Sequence, residues 1–268
     1  MPLPPRRTLR TSQYAVFFDG VDDYAVISPF TVYGWSEITI QERIYFYHPK
    51  ANTAWSKFSM MGDYGADYPS TFFGTDNRYD YTYANAYWTT RTPEGTRKDY
   101  YYSIIAHVNE WTDVVRRFTA DREISFWFDG NRAYSAAVPS DEKTVLEWDP
   151  DRATYPHFYR RFVLGANIDL TEWMKVMYAS LLIYNRALSA DEIRHNVLSP
   201  ASPVRRNLVV WLLARPDLVK DVDGDGRPEW IDLASNFYHA KLYGASLVSL
   251  VKAPARVLEA VTVRGVAR

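Results

Sequence analysis

The sequence contains no cysteine. This absence excludes a disulfide framework, thiolate metal sites and cysteine nucleophiles. Long apolar runs are also missing, because the longest, around residues 179–184 and 208–213, are far too short to span a bilayer. The first residues lack the apolar segment of a secretory signal. We therefore expect a soluble chain without membrane insertion.

Catalytic motifs are scarce. The five histidines are scattered, with no two at metal-ligand spacing, and neither a Gly-x-Ser-x-Gly elbow nor a phosphate-binding loop occurs. The nearest approach to the paired carboxylates of glycoside hydrolases is the run Glu147, Asp149 and Asp151, in a segment interrupted by proline. These observations predict a protein that is not an enzyme.

The net charge is low, and unbalanced positive charge lies at the two ends of the chain. The formal net charge is −1, which gives no general attraction to nucleic acid except through the basic termini. Residues 1–13 are predicted to form a flexible basic arm. Residues 249–268, also basic, are predicted to form a strand or tail that pairs either with its own sheet or with a sheet edge of another subunit.

Aromatic residues are abundant, with 21 Tyr, 13 Phe and 9 Trp, and they favour strands. Alternating apolar and polar residues predict many short strands, and Asp129-Gly130 predicts a tight hairpin. One short helix is expected near residues 189–197, with Ser189 as N-cap and Glu192 completing a capping box. The fold class is therefore all-β: a two-sheet antiparallel sandwich with one short helix.

Three segments resemble laminin-G-like members of the concanavalin A-like superfamily. They are VFFDGVDDYAVI at 16–27, ISFWFDGNR at 124–132, and FVLGAN at 162–167 together with LIYNRALSADEI at 182–193. The segments follow one another in the family's order. The resemblance implies a jelly roll and a role in binding or assembly.

A fourth segment matches the family but stands in an unusual place. NLVVWL at 207–212 and WIDLASNFYHAKLYGA at 230–245 resemble the part that usually begins the domain. Chain ends of such sandwiches often lie close together, so we predict a circularly permuted jelly roll over 14–248, with 206–248 supplying the normally N-terminal strands. A second domain and strand exchange with a neighbouring subunit remain alternatives.

The sharpest chemical signal is an acidic loop that resembles the calcium loops of dockerins. Calcium prefers six to eight hard oxygens, supplied in such loops from alternating positions. The predicted ligands of a structural Ca²⁺ are Asp221, Asp223, Asp225, the carbonyl of Arg227, Glu229 and Asp232. Pro228 and the lack of an entering helix depart from the pattern, and a solvated loop without metal is the alternative.

Two further groups are candidate sites. Asp19, Asp22 and Asp23 form either a second metal site or a turn in which the carboxylates cap backbone groups. A tyrosine-rich region offers rings for stacking on sugars or for a protein interface, although strand alternation would direct about half of them into the core. Its candidate residues are Tyr79, Tyr81, Tyr83, Tyr87 and Trp88.

The sequence favours a non-catalytic structural or assembly protein, a virion or surface component that forms homo-oligomers or joins other structural subunits. The alternative is an adhesion module that binds surface glycans, and a glycoside hydrolase is least favoured. The expected location is a virion or an extracellular surface, with the cytoplasm left open.

Overall fold

The computed structural model describes residues 13–47, 57–62, 69–75, 83–105, 110–170, 173–250 and 261–262. Within them lie eighteen strands and one α-helix, α1 (Ala190–Leu198). The strands are β1 (Tyr14–Asp19), β2 (Tyr24–Ile27), β3 (Ile38–Phe46), β4 (Lys57–Gly62), β5 (Ser70–Thr75), β6 (Tyr83–Arg91), β7 (Arg97–Ile105), β8 (Trp111–Phe118), β9 (Glu123–Phe128), β10 (Asn131–Ala137), β11 (Phe162–Leu164), β12 (Lys175–Tyr184), β13 (Leu208–Leu213), β14 (Val219–Lys220), β15 (Glu229–Trp230), β16 (Ala240–Tyr243), β17 (Ser246–Ser249) and β18 (Val261–Thr262).

The strands form two antiparallel sheets. The first sheet has the order β10-β9-β8-β3-β12-β1-β17-β18, with β13 also paired to β12. The second sheet has the order β14-β15-β16-β2-β11-β4-β5-β6-β7. The predicted all-β, two-sheet antiparallel sandwich with one short helix is confirmed.

The main core lies between the sheets, because successive side chains alternate and one face of each strand points into that space. In β2, Ala25 and Ile27 are fully buried, whereas Tyr24 and Val26 lie on the other face and are only partly covered. Trp88 of the second sheet stacks on Phe118 of the first, with ring centroids 5.5 Å apart. Burying such rings supplies most of the apolar stabilisation of a sandwich.

Local signals in the sequence match local structure. The β9–β10 hairpin turns through Asp129 (φ 50°) and Gly130 (φ 79°), both in the left-handed region that this two-residue turn requires. At the start of α1, the Glu192 amide donates to Ser189 Oγ (3.3 Å), and the Ser189 amide donates to Glu192 Oε2 (2.9 Å). The predicted capping box is confirmed.

The C-terminal strands join the same two sheets as the rest of the chain. β13 pairs with β12, β16 with β2, and β17 with β1. The β1–β2 and β16–β17 connections therefore cross between the sheets side by side. They pack so closely that a Cβ on Gly244, which has φ 72°, would overlap the Asp23 carboxylate. That this chain order is a permutation of the laminin-G-like order stays a prediction, as do the domain limits.

Two of the predicted segments are largely outside the described residues. Of the N-terminal arm, only residue 13 is described, and of the C-terminal tail only residues 249–250 and 261–262. In the described part of the chain, no helix has the length and apolarity needed to cross a bilayer.

Candidate functional site

The acidic loop lies between β14 and β15 and closes on its own carboxylates. Asp221 accepts hydrogen bonds from the amides of Gly224 (2.7 Å) and Gly226 (2.9 Å). One carboxylate oxygen from each of Asp221, Asp223 and Asp225 lies within 4.8 Å of the others. Three of the predicted calcium ligands therefore converge, and all three are exposed.

A cation from the chain itself already lies against this cluster. Lys241 Nζ of β16 lies 2.7 Å from Asp223 Oδ2 and 2.5 Å from Asp225 Oδ2. Hydrogen bonding to Lys241 lowers the pKa of Asp223, and the two carboxylates raise the pKa of Lys241. Lys241 thus offsets the repulsion among carboxylates that alone would favour a metal ion.

The carboxylates of Glu229 and Asp232 do not join the cluster of three, while the Arg227 carbonyl stays a predicted ligand. Asp232 is buried, and its carboxylate accepts hydrogen bonds from the amides of Trp211 (2.8 Å) and Ala234 (2.9 Å). This carboxylate therefore connects β13 to the turn after β15, which corrects its assignment as the twelfth-position ligand. Glu229 stands in β15 opposite Lys241, and the side chain of Arg227 extends over the Tyr243 ring.

Calcium binding at this loop stays a prediction, and Lys241 provides its test. A divalent ion at the three carboxylates is repelled by the Lys241 ammonium. We expect Lys241→Met to bind Ca²⁺ at least about tenfold more tightly than the unmodified chain, which corresponds to about 1.4 kcal/mol. Calorimetric titration with CaCl₂ after EDTA treatment measures this, with Lys220→Met as the control. If neither the unmodified chain nor Lys241→Met takes up calcium, the calcium prediction is wrong.

The Asp19, Asp22 and Asp23 cluster caps the crossing between the sheets. Asp23 Oδ2 accepts the amide of Asp19 (2.8 Å), and Asp19 Oδ1 accepts that of Val21 (2.7 Å). Burial raises the pKa of Asp23 to about 6, and the charges of Asp19 and Asp22 contribute to the shift. The carboxylates of Asp19 and Asp23 therefore cap backbone amides of the turn, while metal binding at this cluster stays a prediction.

The raised pKa of Asp23 makes stability depend on pH. Because the folded state holds this proton more tightly than the unfolded chain, whose Asp pKa is about 4, stability falls as the pH rises from about 4 through 6. We expect Asp23→Asn to stabilise the protein at pH 7.5 by about 2 kcal/mol and to have little effect at pH 4. Urea unfolding in EDTA at both pH values measures the difference, with exposed Asp141→Asn as the control. Equal effects of Asp23→Asn at the two pH values would contradict the shift.

The aromatic side chains proposed as a sugar platform are placed differently from that expectation. Trp88 is fully buried between the sheets, and Tyr87 is only 5% exposed, stacked between Phe72 (4.4 Å) and Tyr101 (5.3 Å). Tyr87 and Trp88 therefore offer no free surface for a sugar or a partner, which corrects their assignment. Tyr79, Tyr81 and the Tyr83 side chain lie outside the described residues.

A groove that the sequence did not indicate lies on the outer face of the second sheet. It has a volume of about 620 Å³. Alternation in β2 and β16 directs Tyr24, Val26 and Tyr243 outward, while residues 156–161 and Leu170 form the facing wall. The complete lining is Tyr24, Val26, Ser28, Pro29, Pro156, His157, Arg160, Arg161, Leu170 and Tyr243.

Two stacked tyrosines form the floor of the groove. The rings of Tyr24 and Tyr243 lie 4.5 Å apart at 12°, and the Arg227 guanidinium lies 5.1 Å from the centre of the Tyr243 ring. Burial and the neighbouring Tyr243 raise the pKa of the Tyr24 hydroxyl, against the lowering effect of Arg227 and Arg161. The floor therefore combines apolar ring surface with the neutral hydroxyl of Tyr24.

The wall of the groove is basic. Arg161 is half-buried, lies 5.3 Å from the centre of the Phe158 ring and donates to the Ile168 carbonyl. Arg160 is exposed and forms an ion pair with Asp151. Among the described residues that line the groove, none is acidic. This arrangement suits a ligand that stacks on rings and accepts hydrogen bonds from guanidinium groups.

No family model and no curated protein sequence matches this chain. Among solved structures, the chain is similar to a putative carbohydrate binding protein from Bacteroides ovatus, with 13% identity and a TM-score of 0.61 over 89% of this chain. It spans 60% of the length of that protein. The chain has a jelly-roll fold.

Two further solved structures are more distant. One is domains LG4-5 of the mouse laminin alpha1 chain, with 10% identity and a TM-score of 0.44 over 68% of this chain and 43% of that one. The other is an SAP-like pentraxin from Limulus polyphemus, with 12% identity and a TM-score of 0.44 over 69% of this chain and 82% of that one.

Proposed function

We propose that this chain is a non-catalytic glycan-binding module and that the groove at Tyr24 and Tyr243 is its binding site. The observation that carries the proposal is the pair of half-buried, stacked tyrosines beside guanidinium donors in one concavity. The description of the Bacteroides ovatus structure as a putative carbohydrate binding protein supports the same function.

The groove has the size and chemistry for a short saccharide. Its volume of about 620 Å³ falls within the range of ordinary small-molecule sites. Pyranose rings present C–H groups on one face, which pack on aromatic rings, and hydroxyls at the edge, which accept hydrogen bonds from Arg and His side chains. Tyr24 and Tyr243 supply the first kind of contact, and Arg160, Arg161 and His157 supply the second.

The lining of the groove supports binding without catalysis. Hydrolysis of a glycosidic bond needs two carboxyl groups on either side of the bond. The described lining residues include neither aspartate nor glutamate, and two carboxylates of the exposed acidic cluster, Asp223 and Asp225, are paired with Lys241. We therefore assign to the groove recognition of a sugar and no bond cleavage.

The assembly hypothesis rests on fewer observations. It rests on the displaced segment at 206–248, on the strand-like composition of residues 249–268 and on the abundance of aromatic residues. In the described part of the tail, β18 pairs with β17 of the same chain. A virion location and self-association stay predictions.

Mutation of the groove tests the proposed function. After a glycan array identifies a ligand, we expect Tyr243→Ala to weaken binding of that ligand by at least about tenfold in calorimetry, since stacking on one ring contributes more than 1.4 kcal/mol. Tyr101→Ala is the matched control, because Tyr101 on β7 is 53% exposed and stacks on Tyr87 of the tyrosine-rich region. Circular dichroism verifies that both variants are folded.

Two results would contradict the proposal. One is the absence of binding to every glycan of the array. The other is a ligand whose affinity decreases in Tyr101→Ala and is unchanged in Tyr243→Ala, which would place the site in the tyrosine-rich region instead.

A further inference from the structure

We infer that the groove selects a sugar that carries an anionic group, either a carboxylate or a sulfate. This inference rests on the proposed function and specifies its ligand class. Arg160, Arg161 and His157 stand together on one wall, and the groove lining contains no acidic residue among the described residues. The whole chain carries a net charge of −1, so attraction to an anion at this wall is local.

Arg161 is the central residue of this wall. One terminal nitrogen donates to the Ile168 carbonyl, and the guanidinium lies over the Phe158 ring, so the side chain is held in place. Its Nε is buried and has no hydrogen-bond partner among the described residues. Burial lowers the pKa of Arg161, and the charges of Asp169 and Tyr24 oppose that shift without reversing it. The positive charge is therefore incompletely compensated, and a ligand anion would complete the compensation.

Arg160 and Arg227 extend the positive surface on either side. The Arg160 pair with Asp151 is exposed, and exposed pairs are weak, so a ligand anion competes with Asp151 at little cost. Arg227 lies over Tyr243, with its Nη1 3.9 Å from Asp225 Oδ2, while Asp225 is also held by Lys241. Guanidinium groups bind carboxylate and sulfate through two parallel hydrogen bonds, which an ammonium group cannot reproduce.

The test compares matched sugars on the full chain. Calorimetry in EDTA-containing, phosphate-free buffer uses four probes: a disaccharide with a uronic acid, its methyl ester, its O-sulfated neutral counterpart and the plain neutral disaccharide. We expect at least one anionic probe to bind tenfold or more tightly than both neutral probes. This preference is expected to shrink when NaCl is raised from 50 to 500 mM. The stronger of the two anionic probes identifies the source of the anion.

Variants locate the preference. Arg161→Gln and Arg160→Gln are each expected to reduce affinity for the anionic probe at least fivefold more than affinity for the neutral probe, because Gln keeps a hydrogen-bond donor for hydroxyls and loses only the charge. Arg215→Gln is the matched control, because Arg215 forms an exposed pair with Asp217 just as Arg160 does with Asp151. Arg160 is exposed, so its variant is informative even if Arg161→Gln fails to fold.

The outcomes separate this inference from the proposed function. Equal affinity for anionic and neutral probes, with both lost in Tyr243→Ala, overturns anion selection and leaves glycan binding in the groove intact. A preference that survives both Arg160→Gln and Arg161→Gln also overturns it and assigns the attraction to another basic part of the chain. A chain that binds no saccharide contradicts the proposed function itself.

Discussion

Replacing Arg116 by methionine is expected to lower the free energy of unfolding by about 3–5 kcal/mol. Arg116 of β8 and Glu42 of β3, both in the first sheet, form an ion pair in the core, with 3.1 Å from Arg116 Nη2 to Glu42 Oε2. Both side chains are completely buried. Nη2 also donates to Ser59 Oγ (2.8 Å), and Nη1 donates to Thr71 Oγ1 (3.4 Å). One guanidinium from the first sheet thus connects to two strands of the second.

The magnitude follows from the burial of both charges. Desolvation raises the pKa of Glu42 and lowers the pKa of Arg116, so each group depends on the other to remain ionised. In Arg116→Met the Glu42 carboxylate loses its counter-charge, and it either remains uncompensated or takes up a proton. We expect the double variant Glu42→Leu/Arg116→Met to recover most of the lost stability, because replacing both charges leaves no unpaired ion.

Urea unfolding at pH 7 measures these differences. The control is Arg194→Met, which removes one partner of the exposed Arg194–Asp191 pair and should change stability by less than about 0.5 kcal/mol. A double variant as unstable as Arg116→Met alone would show that the hydrogen bonds to Ser59 and Thr71, rather than charge compensation, determine the loss.

Replacing Trp88 by alanine is expected to destabilise the protein by about 3–5 kcal/mol, the usual cost of removing a buried aromatic ring. Trp88 is fully buried, and its ring lies nearly parallel to that of Phe118, at 13°. In contrast, Tyr101→Ala, which removes a half-exposed ring, should cost about 1 kcal/mol or less. Urea unfolding compares the two variants.

The same pair distinguishes packing from recognition in the tyrosine-rich region. If Trp88 serves packing, glycan affinity of the folded fraction of Trp88→Ala stays unchanged. A stable Trp88→Ala variant that has lost glycan binding would instead restore the original surface hypothesis. Phe72, Tyr87 and Tyr101 form one stack of rings, and Trp88 packs on the opposite face. Of these residues Tyr101 offers exposed ring surface, because the other three are buried.

Local features of the fold could be predicted from the sequence. The Asp129-Gly130 hairpin and the Ser189–Glu192 capping box formed as expected, because a turn or a helix start is determined by a few consecutive residues. The convergence of Asp221, Asp223 and Asp225 was also predictable, since alternating positions in one tight loop bring their carboxylates together.

The exposure of aromatic residues was not predictable in the same way. Alternation along β6 correctly separates Tyr87 and Trp88 onto opposite faces. It does not show that the outer face is also covered: Tyr87 packs in a second apolar cluster that includes Met60, Val163 and Ile168. Pattern alone distinguishes the two faces of a strand, whereas burial depends on what packs on each face.

The acidic loop shows the same division. The sequence by itself determined that three carboxylates of this loop lie together. It also determined the strands, the hairpin and the helix cap, because all of these signals act over a few residues. Only the tertiary structure decided that Lys241 pairs with two of these carboxylates, that Asp232 caps β13, and that Tyr24 stacks on Tyr243 in the groove. Those contacts require β2 and β16, from opposite ends of the chain, to pair in one sheet, and strand pairing over such distances is selected by the packing of the whole sandwich.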